Sequence, residues 1–307
     1  MQCTLMEYRK LGSLNVSLIG IGCNNFGWRI DAVETAAVVD AALDTGINFF
    51  DTADVYGAGQ SEEFLGNALR GRRNKAIIAT KFGMKMGDGK EGARPQYIRQ
   101  ALDASLQRLQ VETIDLYQIH RSDPNTPIAD TMQALNDAIK AGKIREIGCS
   151  NFSAEQMRAA RVTHVPHLFS SVQNDYSMMN REPEAEVLPE CARSGVAFLP
   201  YFPLANGLLT GKYRKGKPFP ESSRGKDAFG PKVFTPANLE RAEALIAFSE
   251  SHGHSILELA FSWLAARPEI CRVIAGAKSP DQVRSNSGAA SWKLTAAELA
   301  EVDRILS

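Results

Sequence analysis

Short apolar runs recur along most of the chain, and a longer segment of mixed polarity follows each of them. The runs lack the alternation that would expose one face to water, so each predicts a strand buried on both faces. The predicted strands lie at 17–23, 47–50, 76–81, 114–120, 144–150, 168–173, 196–201 and 272–276.

The intervening segments have the spacing of amphipathic helices. Gly46, Gly142 and Gly195 lie where three of these segments end, and glycine suits the left-handed cap found there. Ser153 and Gln156 have the spacing of a capping box at the start of another. Helices are predicted at 32–45, 61–69, 128–141, 153–162 and 184–194, with two more that begin at Pro95 and near Pro280.

Strands that alternate with helices predict a parallel sheet, and eight such units in a chain of this length predict the (β/α)8 TIM barrel, an α/β fold. A doubly wound open sheet is the alternative. It loses support because Asn25 stands where the dinucleotide-binding pattern begun by Gly20 and Gly22 needs its third glycine.

Three segments add to this cycle. An N-terminal β-hairpin is predicted within 8–17, before the first barrel strand. A stretch rich in glycine, proline and basic residues, 203–236, lies between the last two strands, and a loop this long is usually functional or disordered. Additional helices toward the C-terminus are predicted at 237–251, 255–266 and 295–305. No linker interrupts residues 1–307, so a single domain is expected.

Composition narrows the class of protein. Apolar residues make up 44% of the 307 residues, enough for a large core, and 35 basic residues balance 35 acidic ones. This zero formal charge gives no reason to expect a nucleic acid or a membrane surface as a partner. The five cysteines are scattered without a CxxC pair, which favours reduced thiols and a cytoplasmic location. No apolar run reaches the roughly 18 residues of a membrane span.

Polar side chains with complementary chemistry lie where three neighbouring strands end. Asp51 follows the second run, Tyr56 comes shortly after it, and Lys81 and His120 close the next two runs. The carboxyl ends of barrel strands meet at one mouth, so these groups are predicted to converge there. A lysine lowers the pKa of a nearby phenol, a carboxylate holds the lysine, and a histidine orients a carbonyl or relays a proton. The set is therefore predicted to give a proton to an oxygen that gains negative charge.

Each of these residues, taken alone, is equally compatible with an ordinary turn or strand-end role. Lys81 also allows a different chemistry, because a lysine at the end of a barrel strand can form a Schiff base with a carbonyl substrate. This lyase hypothesis leaves Tyr56 without a role.

Seven stretches of the sequence closely resemble the aldo-keto reductases, in order along nearly the whole chain. They are FFDTADVYG (49–57), ATKFG (79–83), DLYQIH (115–120), GCSNFS (148–153), VQNDYS (172–177), LPYFPLANGLLTGKY (199–213) and VIAGAKSPDQVRSN (273–286). The resemblance implies a (β/α)8 barrel that moves a hydride between NAD(P)H and an aldehyde or ketone. It also implies Tyr56 as the general acid, Lys81 as the residue that lowers its pKa, Asp51 as the partner of Lys81, and His120 as the group that positions the carbonyl.

The same resemblance implies a cofactor site. Ser150, Asn151 and Gln173 match positions that bind the nicotinamide carboxamide, and Tyr201 matches the residue that stacks on the nicotinamide ring. A basic loop that starts at Lys212 is expected to attract cofactor phosphate. Lys278 matches a position that would favour a 2′-phosphate, and therefore NADPH. The further residues expected at the pyrophosphate and the adenosine are Pro203, Leu204, Gly207, Gly276, Ser279, Gln282 and Asn286.

The function predicted is NADPH-dependent reduction of a small-molecule aldehyde or ketone. A cofactor-binding redox sensor or channel-accessory protein with little turnover is the alternative from another class. The substrate pocket is expected to be lined by Phe26 and Trp28 together with Tyr56 and His120.

Two histidine pairs have a spacing that a metal ion could use, His164 with His167 and His252 with His254. They lie in loop-like or helix-end surroundings without carboxylate or thiol partners, so no metal is expected.

Overall fold

The computed structural model of the chain describes residues 6–219 and 230–307. Its first two strands, β1 (Tyr8–Leu11) and β2 (Leu14–Ser17), pair antiparallel and form the predicted hairpin. The strands that follow are β3 (Ile19–Gly22), β4 (Phe49–Asp51), β5 (Ile77–Phe82), β6 (Ile114–Ile119), β7 (Ile144–Ser150), β8 (Ser171–Asp175), β9 (Ala197–Tyr201) and β10 (Val273–Gly276).

These eight strands form one parallel sheet in the order β10-β3-β4-β5-β6-β7-β8-β9. The two ends of the sheet meet through the segment that leads into β10. Phe198 N donates to the Glu269 carbonyl oxygen at 2.9 Å, and Cys271 N donates to the Phe198 carbonyl oxygen at 3.2 Å. The sheet is therefore a nearly closed barrel, as predicted.

Helices surround the barrel. Several begin with the capping box that satisfies the free N–H groups of a first turn, including the predicted one at Ser153 and Gln156 and another at Asp31 and Glu34. The helices are α1 (Ala32–Asp44), α2 (Gln60–Ala68), α3 (Pro95–Leu109), α4 (Ile128–Lys140), α5 (Ala154–Arg161), α6 (Val187–Ser194), α7 (Gly230–Val233), α8 (Pro236–Ser251), α9 (Ile256–Ala265), α10 (Pro280–Gly288) and α11 (Ala296–Leu306). Among the described residues, no helix has both the length and the apolar character needed to cross a bilayer.

Several predicted elements begin later in the structure, two of them by three residues. Strand β8 begins at Ser171 rather than at 168, since its pairing with β7 starts there, and Phe169 is buried in the core before it. Helix α6 begins at Val187 rather than at 184, since a 3-10 turn occupies Glu182–Glu184. The stretch predicted as a long loop, 203–236, contains a 3-10 segment at Ala205–Thr210 and helix α7. Its residues 220–229 lie outside the described part of the chain.

The core has two apolar clusters. The larger one lies between the outward-facing strand residues and the helices. The smaller one fills the barrel interior, where Leu11 and Leu14 of the hairpin join Phe49, Ala79 and Leu116. The hairpin therefore covers the end of the barrel at which these strands begin.

The alternation of side chains along each strand sets what the other end of the barrel contains. Phe49 and Ala79 belong to the interior cluster, so the residues two positions later, Asp51 and Lys81, also point inward. The parallel register places Lys81 beside Gln118. The carboxyl end of the barrel is therefore lined with polar groups above an apolar interior.

Candidate active site

A buried ion pair between Asp51 and Lys81 lies at the carboxyl ends of β4 and β5. Lys81 Nζ donates to Asp51 Oδ2 at 2.5 Å and to the Thr52 carbonyl oxygen at 2.9 Å. Lys81 is fully buried and Asp51 is 3% exposed. The other carboxylate oxygen, Oδ1, accepts from Gln118 Nε2 at 3.1 Å and from Gln173 Nε2 at 2.9 Å. Both charges therefore have the partners that a charge needs away from water.

Tyr56 lies on a tight turn after β4. Gly57 has a left-handed φ of 57°, which suits a residue without a side chain. A Cβ on Gly57 would lie 3.1 Å from the Gly27 carbonyl oxygen, so the turn packs against the loop after β3. The centroid of the Tyr56 ring is 5.2 Å from Lys81 Nζ and 5.9 Å from that of the His120 ring, which meets it edge-on. The phenol therefore lies beside both the ammonium and the imidazole.

Burial and charge set the protonation of these two groups. Burial raises the pKa of the Tyr56 phenol above its usual value, and the nearby Lys81 ammonium offsets part of that increase. Burial lowers the pKa of His120 to about 3, and the positive charges of Lys81 and Arg121 contribute to the decrease. At neutral pH the phenol is thus protonated and the imidazole is uncharged. Within residues 6–219 and 230–307, His120 Nδ1 has no hydrogen-bond partner.

The mouth of the barrel holds a cavity of about 640 Å³, and most of the predicted site residues line it. Asp51, Tyr56 and His120 are among the lining residues, whereas Lys81 is fully buried next to Asp51. Of the residues predicted to bind the cofactor, those that line the cavity are Ser150, Asn151, Gln173, Tyr201, Pro203, Leu204, Gly207, Lys212, Gly276, Lys278, Gln282 and Asn286.

One group of predicted cofactor residues forms a hydrogen-bonded cluster next to His120. Asn151 has a left-handed φ of 59°, and its Nδ2 donates to the His120 carbonyl oxygen at 3.0 Å. Tyr201 Oη donates to Asn151 Oδ1 at 2.7 Å, and Ser150 Oγ donates to the Gln173 carbonyl oxygen at 2.8 Å. This cluster presents amide and hydroxyl groups to the cavity, which is the chemistry that binds a carboxamide.

A second group follows β9, where the backbone takes an unusual path. Phe202, Ala205 and Asn206 have left-handed φ values of 53°, 44° and 54° although none of them is glycine. Such residues cost about 1–3 kcal/mol each and tend to cluster at ligand sites. A Cβ on Gly207 would lie 3.5 Å from Lys212 Cε, so the bare backbone there lies close to a basic side chain.

The third group lies at the start of α10. Ser279 does not line the cavity; it is the N-cap residue, and its Oγ accepts from Gln282 N at 3.4 Å. Lys278 N donates to Gln282 Oε1 at 2.8 Å. A Cβ on Gly276 would lie 3.1 Å from Asn25 Nδ2, so only glycine leaves this space open. A helix N-terminus, a lysine and a glycine together fit the phosphate groups of a nucleotide.

The two aromatic residues predicted to line the substrate pocket do not reach the cavity. Phe26 is fully buried in the larger apolar cluster, because its loop turns it inward. Trp28 is 67% exposed and lies under the Arg29 guanidinium, 4.2 Å from its ring centroid. The cavity instead has Arg29 and Arg121 in its lining, two residues that the sequence analysis did not select.

The sequence analysis also did not select Asp54, a buried carboxyl close to the turn that carries Tyr56. Asp54 is 2% exposed, and within the described chain its Oδ1 has no hydrogen-bond partner. Burial raises the pKa of Asp54 to about 7, and the negative charge of Glu62 adds to the increase. Glu62 is itself fully buried, and accepts from Thr80 Oγ1 at 2.6 Å and from Arg108 Nε at 2.7 Å. Asp54 is therefore partly protonated at neutral pH, whereas Glu62 is held by an arginine.

Both histidines of the second pair considered as metal ligands have other contacts. The His254 ring stacks on Trp292 with centroids 4.2 Å apart, and His252 Nδ1 lies 2.8 Å from the Phe248 carbonyl oxygen. Residues 6–219 and 230–307 contain no group of three histidine, cysteine, aspartate or glutamate side chains placed to hold a metal ion.

The chain belongs to the aldo/keto reductase family, whose model matches residues 18–307. Proteins of this family are oxidoreductases that use a nicotinamide cofactor. The family assignment and the barrel agree with the resemblance read from the sequence.

Individual relatives cover almost the whole chain. An aldo-keto reductase from Bacillus subtilis (strain 168), YhdN, is 34% identical over 316 residues, which cover 98% of this chain and 94% of that protein. Aldo-keto reductase yakc [NADP(+)] from Schizosaccharomyces pombe is 35% identical over 96% of this chain and 89% of its own length. Among solved structures, the glycerol dehydrogenase AKR11B4 from Gluconobacter oxydans superposes with a TM-score of 0.85 and 33% identity, covering 100% of this chain and 96% of that one.

Breaking the buried ion pair should destabilise the protein strongly. Lys81→Met leaves the Asp51 carboxylate buried with its two amide donors but without a counter-charge, and we expect a loss of about 3–5 kcal/mol in the free energy of unfolding. The double variant Asp51→Asn/Lys81→Met removes both charges and should recover part of that loss. Urea denaturation of the three proteins checks this. A double variant no more stable than Lys81→Met would contradict the assignment of the cost to an unpaired charge.

Asp54 should make stability depend on pH. A carboxyl whose folded pKa, about 7, lies above its unfolded value contributes stability that is full at acidic pH and is lost as the pH rises through about 7. Asp54→Asn should therefore gain stability relative to the wild type, by about 2 kcal/mol, between about pH 5 and about pH 8. Denaturation at both pH values measures the difference, with exposed Asp130→Asn as the matched control. If the difference in stability between Asp54→Asn and the wild type is the same at both pH values, Asp54 is already ionised in the folded protein at the lower pH.

Proposed function

We propose that the protein is an NADPH-dependent reductase of aldehydes and ketones. The observation that carries the proposal is a protonated phenol, Tyr56, next to a buried ammonium, Lys81, and an uncharged imidazole, His120, at one cavity. These groups suit the transfer of a proton to an oxygen that gains negative charge. Membership of the aldo/keto reductase family supports the same activity.

The lining of the cavity fits a nicotinamide dinucleotide, which supplies the hydride when it is bound. The amide and hydroxyl groups around Asn151 would hold its carboxamide, and the Tyr201 ring would lie against the nicotinamide. The open backbone at Gly207 and Gly276, with the start of α10, would receive its phosphates.

Tyr56 delivers the proton to the carbonyl oxygen in this mechanism. The Lys81 ammonium stabilises the phenolate that remains, because opposite charges lie close together in a medium with little water. Burial alone would lower the pKa of Lys81, but the charge of Asp51 and its hydrogen bond to the ammonium raise that pKa above its usual value. Asp51 thus keeps the lysine protonated throughout.

His120 positions the substrate. Its ring is uncharged at neutral pH, so it can hydrogen-bond to the carbonyl oxygen without bringing a second full positive charge beside Lys81. The hydrogen bond from Asn151 Nδ2 to the His120 carbonyl oxygen holds the end of β6 against β7. Substrate positioning and carboxamide binding would therefore depend on the same asparagine.

The state of Lys81 favours the reductase over the Schiff-base lyase. A lysine that attacks a carbonyl must be a free amine, whereas Lys81 is fully buried, protonated and in an ion pair. The sensor hypothesis predicts the same cofactor site and differs only in turnover, so the experiment below separates it.

Replacing the phenol should abolish reduction without abolishing cofactor binding. We expect Tyr56→Phe to lower kcat for NADPH-dependent reduction of a panel of aldehydes and ketones by about 100- to 10,000-fold, the usual contribution of a general acid. The Kd of NADPH, measured by fluorescence, should change little because the phenol is the only group removed. The reverse reaction, with NADP+ and glycerol, is a second assay, since a solved relative is named a glycerol dehydrogenase.

Each other outcome of this experiment selects another hypothesis. NADPH binding without turnover by either protein would favour the sensor. Turnover that survives in Tyr56→Phe would remove Tyr56 from the role of proton donor. Absence of NADPH binding would contradict the cofactor assignment.

Lys278 should set the preference for NADPH. Its ammonium lines the cavity at the start of α10 and would pair with the 2′-phosphate that NADH lacks. We expect Lys278→Met to raise the Kd of NADPH about tenfold, which is ~1.4 kcal/mol, and to leave the Kd of NADH nearly unchanged. Lys140→Met, at the exposed end of α4, is the matched control. An equal loss of affinity for both cofactors would contradict this role.

A further inference from the structure

An exposed arginine follows the catalytic histidine directly. Arg121 lines the barrel-mouth cavity next to His120, whose ring meets that of Tyr56 edge-on. Within residues 6–219 and 230–307, the Arg121 guanidinium makes no hydrogen bond and no ion pair. Its charge nevertheless reaches the reacting groups, since it helps to lower the pKa of His120 and opposes the increase in the pKa of Tyr201. A positive charge without a partner among the described residues therefore lies in the cavity lining, close enough to His120 and Tyr201 to affect their pKa values.

A second arginine reaches the same end of the cavity from another loop. Arg29 lines the cavity, and its guanidinium is stacked on Trp28 at 4.2 Å. Stacking of this kind orients the planar donor group. The loop that carries Arg29 packs against the turn of Tyr56, where the Gly27 carbonyl oxygen lies against Gly57. Arg29 thus lines the cavity from a loop that contacts the turn of Tyr56, whereas Arg121 follows β6.

None of the acidic residues that line the cavity forms an ion pair with Arg121 within the described part of the chain. Asp51 and Asp281 are each in an ion pair with another basic side chain. Burial raises the pKa of Asp175 to about 6, so this carboxyl is largely ionised at neutral pH, but within residues 6–219 and 230–307 it forms no ion pair with Arg121. The phosphates of the cofactor would engage Lys212 and Lys278. The Arg121 guanidinium therefore remains available to a further anion in the cavity.

We propose that the carbonyl substrate carries an anionic group, a carboxylate or a phosphate, and that Arg121 binds it. The inference rests on the proposed reductase function and specifies its substrate class. A guanidinium binds both anions through two parallel N–H···O bonds, so Arg121 would fix the orientation of the substrate as well as its affinity. The anion would also draw the substrate into the cavity from solution.

Matched substrates test this directly. One pair is para-carboxybenzaldehyde and its uncharged analogue para-formylbenzamide, and the other is glyceraldehyde phosphate and glyceraldehyde. The wild type should prefer the anionic member of at least one pair in kcat/KM, mainly through KM, and the pair that shows the preference identifies the anion. We expect Arg121→Met to reduce that preference by about 10- to 100-fold, the usual contribution of a hydrogen-bonded charge. Arg99→Met, an exposed arginine on α3, should leave the preference unchanged.

A binding measurement separates this inference from the reductase function. Calorimetry of the protein with NADPH should show benzoate binding more tightly than benzamide, and Arg121→Met should remove the difference. If no carbonyl is reduced by the wild type, the reductase function fails, and the calorimetry still decides whether Arg121 binds anions.

Three results would overturn the inference. One is equal kcat/KM for both members of both pairs in the wild type. Another is a parallel loss for charged and uncharged substrates in Arg121→Met together with a raised Kd for NADPH, which would assign Arg121 to the cofactor. The last is benzoate binding that does not depend on Arg121.

Discussion

The buried pair of Asp51 and Lys81 is the constraint on which the site depends. Taking two charges out of water is expensive, and the cost is offset only when both are hydrogen-bonded as well as paired. Here the partners come from different strands, since Gln118 on β6 and Gln173 on β8 donate to the carboxylate that holds the lysine of β5. The barrel must therefore bring distant parts of the chain into register before the pair is satisfied. The ion pair is fully hydrogen-bonded only when these strands of the barrel are correctly assembled.

One ammonium then sets the state of both neighbouring groups. Lys81 opposes the effect of burial on the phenol of Tyr56, and it reinforces the effect of burial on the imidazole of His120. The result is a phenol that keeps its proton at neutral pH beside a histidine that stays neutral. The same charge thus acts on two groups with different usual pKa values, and no metal is needed to explain either shift.

The sequence analysis predicted the barrel, the hairpin and the convergence of Asp51, Tyr56, Lys81 and His120, because strand ends and complementary chemistry are visible in the order of residues. It did not select Gln118, which lies inside a mostly apolar run and is recognised as part of the site only through the register of β6 against β5. The expectation for Phe26 and Trp28 depended on a loop whose path no residue pattern specifies. Asp54 is two residues before Tyr56 in the sequence, but its burial and its proximity to the charge of Glu62 arise only from packing. Periodicity thus predicts which face of an element is buried, whereas loop paths and contacts between elements require the folded chain.

The junction between β9 and β10 relates the cofactor site to the mechanical integrity of the barrel. The two ends of the sheet meet there through a few backbone hydrogen bonds around Phe198 rather than through a full strand ladder. The segments that carry Gly207 and Lys278 continue from these same two strands, on opposite sides of the junction. A ligand that contacts both segments connects the two edges of the sheet, and its binding free energy is added to the work needed to separate them. The weakest boundary of the barrel is in this way the one that an occupant of the cavity would reinforce.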